Sequence, residues 1–285
     1  MNRWMWAALG CTGALATLYG LTLWAMYHAQ TYMIFPAPDL RAEALHRAAS
    51  TAQATELSIP TADGETLYGW HIPGTTRRCV LFFHGNGSTP ANIGMLRHVV
   101  GPEWHVVSVA YRGYPTSTGT PSEAGLREDA RATWRYVTED LGFSPNQVVL
   151  HGRSLGGGVA IGLAAEIQPA GLVMESTFSS VEEIAKGQFP LLPVSSLLQH
   201  PFRSWSFVEQ VRAPVLVVHG TADQVVPVDH GRRMAHRFAG SQYVEREGFL
   251  HQHWLVVVDE QARDAYVTAL AGWVPAENEA QSPLK

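Results

Sequence analysis

Cysteine is nearly absent from this chain: 285 residues carry only two, Cys11 in an apolar leader and Cys79 at the edge of an apolar run. Two cysteines so placed form neither a disulfide framework nor the clustered spacing of a metal site. Charge is also scarce, at 16% of residues, and 20 Lys+Arg against 25 Asp+Glu leave a formal net charge of −5. No basic surplus is available to cover a phosphate backbone, which argues against a nucleic-acid partner. Internal repeats are missing too, so a solenoid or propeller is not the expectation. What is present is a chain that is 46% hydrophobic, long enough for one sizeable core but not for two.

Charge is missing most conspicuously from Trp4 to Tyr27. A spanning helix takes roughly 20 residues, so this segment is expected to be an N-terminal transmembrane signal anchor (4–27), with Trp4, Trp6, Trp24 and Tyr27 suited to aromatic belts. A cleavable signal peptide competes, because Ala14-Leu15-Ala16 resembles a cleavage site. Cutting there would leave Thr17–Tyr27 as a second exposed apolar stretch, which favours an uncleaved anchor. Arg3 and the amino terminus lie on the leading side, while Arg41 is the first arginine on the trailing side. That asymmetry places the amino terminus in the cytoplasm and the rest of the chain in an extracytoplasmic space, as a single-pass membrane protein.

Residues 28–55 read as a linker, with Pro36-Ala37-Pro38 followed by an alanine-rich stretch. Alternation begins at Glu56, and Asp63-Gly64 marks a hairpin turn before Thr66–Ile72. Strands near Cys79, His105, Gln147, Ala170, Pro214 and Gln242 then alternate with helical patterns, the pattern of a mostly parallel sheet covered by helices on both faces. The expected catalytic domain is 56–274, interrupted at about 186–205 by the apolar Phe189-Pro190-Leu191-Leu192-Pro193-Val194. Such an insertion is either a lid or simple packing on the sheet. A polar, disordered tail is expected over 275–285.

The most specific local signal is His151-Gly152-Arg153-Ser154-Leu155-Gly156-Gly157-Gly158, between the apolar Gln147–Leu150 and a small-residue helix. G-x-S-x-G at a strand-to-helix turn is a nucleophile elbow: the sharp turn lifts the serine hydroxyl clear of the sheet. Ser154 is the candidate nucleophile, and a serine needs a base, an acid and an oxyanion hole. His84-Gly85-Asn86 follows the strand at Cys79–Phe83, where this arrangement supplies one oxyanion amide, so the backbone N–H groups of Asn86 and Leu155 are assigned to the hole. His84 itself reads as a brace for that loop. Asp223, just past the carboxyl end of the strand Val215–His219, is the candidate acid. The last loop, Gly248-Phe249-Leu250-His251-Gln252-His253, holds two candidate bases. The spacing from Gly248 points to His251, with His253 as the alternative base or a cap of the final helix. Either completes the serine, acid, histidine order of an α/β-hydrolase fold.

Around this framework stand Tyr111-Arg112-Gly113-Tyr114 with Gly119-x-Pro121-Ser122-Glu123, Glu175-Ser176-Thr177-Phe178, Leu192-Pro193-Val194 and His219-Gly220-x-x-Asp223-x-x-Val226-Pro227. Together with the elbow and His84-Gly85-Asn86 they resemble the BEM46-like membrane-anchored α/β-hydrolases, over about Glu56 to Val274. The run departs from that family's pattern at Ala110, where an Asp is usual, and at Pro115, where a Gly is common. The resemblance implies a serine acyl hydrolase that works without cofactor or metal on small-molecule or lipid acyl esters or thioesters. A membrane-tethered serine peptidase is an alternative, for which Glu175 or Glu182 would have to hold a substrate amine; a degenerate hydrolase acting as an interaction module is another. Nothing in the sequence addresses the oligomeric state. Arg112, in the rim loop Tyr111–Pro121, reads as a structural ion-pair partner.

Overall fold

The computed structural model describes residues 3–276. In chain order the elements are α1 (Arg3–Ile34), α2 (Ala42–Thr51), β1 (Thr55–Pro60), β2 (Thr66–Ile72), β3 (Arg78–Phe83), α3 (Ile93–Val100), β4 (Trp104–Val109), α4 (Glu123–Arg135), β5 (Val148–Arg153), α5 (Leu155–Glu166), β6 (Gly171–Glu175), α6 (Val181–Gln188), α7 (Val194–Leu197), β7 (Val215–Gly220), α8 (Asp229–Arg237), β8 (Gln242–Arg246), α9 (Leu255–Val258) and α10 (Glu260–Trp273). The eight strands form one sheet in the order β1-β2-β4-β3-β5-β6-β7-β8. The β1–β2 and β2–β4 pairs are antiparallel and every later pair is parallel.

Period-two alternation divides the core between the two faces of the sheet. On β3, Cys79, Leu81 and Phe83 join the α4, α5 and α8 side with Leu126, Val159 and Met234. Val80 and Phe82 face the other way, toward Leu45 of α2, Leu96 of α3, Leu255 of α9 and Tyr266 of α10. Both faces of the central strands are buried, as the continuous apolar runs require. In the parallel register Phe83 stands opposite Gly152, Arg153 opposite Glu175, and Glu175 opposite Val218. The carboxyl ends of β3, β5, β6 and β7 therefore finish level, and the loops that leave them meet at one edge.

The N-terminal region differs from its sequence reading. Among the described residues no helix is long and apolar enough to cross a membrane, so the transmembrane helix expected over Trp4–Tyr27 does not stand in that form. α1 has 32 residues, but Gly10, Gly13, Gly20, Thr12, Thr17 and Thr22 recur through it and dilute its apolar side chains. Nor does the helix stop at Tyr27: no breaker occurs before Pro36, so it runs on to Ile34 and delivers Phe35 into the core. The stretch expected as a linker contains α2, which buries Leu45 and Ala49. Residues 277–285, nearly all of the expected disordered tail, lie outside the described residues.

Candidate active site

The elbow is strained in the way its sequence predicts. Ser154 sits between β5 and α5 with φ 52° and ψ −118°, a backbone region that non-glycine residues rarely occupy. Glycine is obligatory on both sides: a Cβ on Gly152 would lie 2.3 Å from the Gly156 carbonyl oxygen, and one on Gly156 would lie 2.0 Å from that of Phe83. The turn is fixed by the Ser154 N–H donating to the Glu175 carbonyl at 2.9 Å and the Thr177 hydroxyl donating to the Ser154 carbonyl at 2.8 Å.

The loops after β7 and β8 bring Asp223 and His251 to this serine. His251 Nε2 lies 3.0 Å from Ser154 Oγ, and His251 Nδ1 lies 2.7 Å from Asp223 Oδ2. An ionised carboxylate only accepts, so Nδ1 carries the proton and Nε2 is left as the acceptor for the serine hydroxyl. Burial pushes the Asp223 carboxyl up. Hydrogen bonding to His219 and His251 and the Val226 N–H outweigh that cost and hold it well below the usual carboxylate range. Its Oδ1 accepts from the N–H groups of Val225 at 2.9 Å and Val226 at 2.8 Å.

His253 is engaged elsewhere: its Nδ1 accepts from the Leu250 N–H at 2.9 Å and its ring packs edge-on against Phe249. It shapes the loop that carries His251. His84 is fully buried against Tyr111 and Tyr114, donates from Nδ1 to the Gly85 carbonyl at 2.9 Å, and is pushed down to about 4 by burial. The loop it braces also receives the Tyr111 hydroxyl, which donates to the His84 carbonyl at 2.9 Å. Asn86 of this loop and Leu155 line the same pocket as Ser154. Leu155 is the first residue of α5, so its N–H is one of those that a helix leaves without an internal partner.

Arg112 is a structural ion-pair partner, as its sequence context suggests. Its guanidinium reaches Asp63 at 2.7 Å and 3.0 Å, and Asp129 accepts from its Nε and its backbone N–H, each at 2.8 Å. Glu175 and Glu182 do not face the pocket. Glu175 is fully buried beside His151 at 3.1 Å and near the Val256 N–H at 3.4 Å. Glu182 is occupied by Lys186, Ser195 and Arg203, which hold it down at about 2.

Two contributors were not legible in the sequence. Arg153 Nη2 donates to the His251 carbonyl at 2.5 Å, linking the elbow directly to the histidine loop. His219 donates from Nε2 to the Val226 carbonyl at 2.8 Å and lies 3.4 Å from Asp223 Oδ2. Arg153 lies inside the elbow run and His219 opens the run His219–Pro227, but the partner of the first is set by the last loop and that of the second by the turn at Val226. The pocket itself is an apolar cavity of about 230 Å³ that begins at Ser154 and is walled by Phe178, α6, the segment around α7 and, unexpectedly, the end of α1.

A family model for the α/β-hydrolase fold matches residues 80–262, and the chain belongs to that family. Among its relatives an uncharacterised protein of Mycobacterium tuberculosis is 36% identical over 185 residues, 63% of this chain and 65% of that protein's length. The protein bem46 of Schizosaccharomyces pombe is 33% identical over 160 residues, 53% of each chain, in line with the BEM46-like resemblance. This chain therefore spans a little under two thirds of the mycobacterial relative it matches. An esterase of Pyrococcus furiosus shares the fold with a TM-score of 0.65 at 17% identity, over 79% of this chain and 94% of that one.

Proposed function

We propose that this protein is a serine hydrolase that cleaves a carboxylic ester or thioester of a lipid-like acyl chain through an acyl-enzyme. The observation that carries this reading is the unbroken chain from Asp223 through His251 to Ser154, at 2.7 Å and 3.0 Å, opening into an apolar pocket. As Ser154 Oγ attacks the carbonyl carbon, His251 Nε2 takes its proton; Asp223 holds the imidazole in the required tautomer and stabilises the imidazolium. The tetrahedral oxyanion is bound by the N–H groups of Asn86 and Leu155, each such donor contributing on the order of 3 kcal/mol in comparable sites. His251 returns the proton to the leaving oxygen or sulfur, the C–O or C–S bond breaks, and water, activated by the same imidazole, releases the acid. The reaction as written needs no cofactor. Both carboxylates nominated for an amine-binding peptidase are committed to other partners, which favours the ester reading.

The test is labelling of the full-length chain with an alkyl fluorophosphonate beside a series of p-nitrophenyl esters and aminoacyl anilides. Wild type and His253→Ala are expected to label and to turn over esters; Ser154→Ala and His251→Ala should do neither at a measurable rate. Labelling that survives in Ser154→Ala would move the nucleophile elsewhere, and turnover of anilides alone would make the protein a peptidase. The same reading holds the protein at a membrane through α1, whose Trp4, Trp6, Leu18, Leu21 and Trp24 are all exposed. Partition into the membrane fraction after a high-salt wash is expected, and recovery of the intact chain as a soluble protein would refute the attachment.

A further inference from the structure

The end of α1 is bound to the domain in a way that an accessory anchor would not require. Gln30 is buried, and its amide is consumed by the connection: Nε2 donates to the Tyr27 carbonyl at 2.9 Å and the Leu197 carbonyl at 3.1 Å, while Oε1 accepts from the Gln199 N–H at 2.7 Å. Gln199 Nε2 returns to the Tyr27 carbonyl at 3.2 Å, and higher on the helix the Tyr19 hydroxyl donates to the Leu191 carbonyl at 3.0 Å. A buried amide left without partners costs about 1–3 kcal/mol, so α1 and the segment around α7 are held in one register by Gln30. Both N–H groups and the carbonyl oxygen of Gln30 are thus engaged, while the residue also lines the cavity.

The cavity lies against this latch. Met26, Gln30, Met33 and Ile34 line the same pocket as Ser154. Their spacing of four, three and one places them on a single helical stripe, and from Met26 to Ile34 that stripe runs about 12 Å at 1.5 Å per residue. Facing it are Ile184, Phe189, Leu192 and Leu198 from α6 and the segment around α7. The volume of about 230 Å³ falls below the roughly 300–1,000 Å³ of sites that take drug-sized ligands. Its apolar lining and its mouth at Ser154 suit a slender acyl chain laid along the α1 stripe with its carbonyl at the serine.

We infer that residues 26–34 of α1 form the acyl-chain wall of the pocket and determine which chain lengths are accepted, an inference that rests on the hydrolase reading above for its substrate. α1 is then a specificity element, and a chain lacking it is an enzyme with an open trough in place of a pocket. Met26 is the position to vary, because it is half-buried on the stripe and its unbranched side chain adapts to neighbours.

The experiment uses the full-length protein in detergent and two substitutions of opposite sign at that position. Met26→Trp fills the cavity and is expected to lower the ratio of kcat/KM for p-nitrophenyl decanoate to that for the acetate at least tenfold; Met26→Ala enlarges it and raises the ratio. A second readout is independent of turnover: cis-parinaric acid, a fluorescent fatty acid, should bind wild type and Ser154→Ala alike and bind Met26→Trp at least tenfold more weakly. The proposal is overturned if parinarate binding is unchanged in Met26→Trp, or if decanoate and acetate rates fall in parallel. Should wild type hydrolyse no ester while Met26→Trp still weakens parinarate binding, the wall stands and the hydrolase reading fails.

Discussion

Replacing Asp223 by asparagine changes one atom and reverses a proton. In the native site the carboxylate is divided: Oδ1 accepts the N–H groups of Val225 and Val226 at 2.9 Å and 2.8 Å, and Oδ2 accepts the His251 Nδ1–H at 2.7 Å. An asparagine has a single acceptor oxygen. Two backbone donors on one side outweigh one imidazole on the other, so the amide oxygen takes the Oδ1 position and the NH₂ group points at His251. A donor there forces Nδ1 to accept, which moves the ring proton to Nε2, the nitrogen that faces Ser154 at 3.0 Å. The base is then blocked without being displaced. In other serine triads a tautomer reversal of this kind lowers kcat about 10⁴-fold, which corresponds to about 5.4 kcal/mol at 1.36 kcal/mol per tenfold. The assay is kcat and KM for a soluble activated ester, measured on the full-length chain beside its urea midpoint. KM should move little and stability should fall by no more than about 1–3 kcal/mol, the cost of one imperfectly paired buried group. An Asp223→Asn variant within tenfold of wild-type kcat would refute the role given to Asp223.

Two further outcomes are expected. Arg153→Ala removes the donor that holds the His251 carbonyl at 2.5 Å and should lower kcat on the order of 10–100-fold, as small misplacements of a catalytic group do, with KM nearly unchanged and partial recovery in Arg153→Lys; a KM effect alone would make Arg153 a substrate contact. Acid should destabilise the fold: burial holds His84, His71 and His230 down at about 4 in the folded chain. An unfolded histidine titrates near 6.5, so between those values the unfolded chain binds more protons and stability declines as pH falls from 6.5 toward 4. For fully buried His84 the upper limit is about 3 kcal/mol, and Asp129, raised to about 6 by burial, opposes the trend over the same range. Urea midpoints at pH 7.5 and 5 check this, and a His84→Asn chain with an undiminished pH slope would rule out His84 as a contributor.

The sequence by itself determined what depends on neighbours along the chain. The strand before Gly152 and the small-residue helix after Ser154 prescribe the elbow, because only glycine tolerates the 2.3 Å and 2.0 Å approaches found there. All eight strands were readable, since each is a short apolar or alternating run between turn residues, and the hairpin at Gly64 is held by its φ of 94°. His251 and His253 were separable only in part, because they lie two residues apart in one loop. Their roles diverge in space, where the Leu250 N–H occupies one imidazole and Asp223 the other. The clamp from Arg153 to the His251 carbonyl joins residues 98 positions apart, and the Asp63–Arg112–Asp129 brace joins residues 49 and 17 apart; no local pattern encodes such partners, or the order in which the strands stand in the sheet. α1 shows the division most sharply. Its apolar composition was legible and suggested a segment independent of the domain; its use as a pocket wall was not, because that depends on Gln30 meeting Leu197 and Gln199 some 170 residues away. A buried amide finds its partners only once the chain has folded around it, and for that physical reason the helix became part of the pocket through tertiary structure alone.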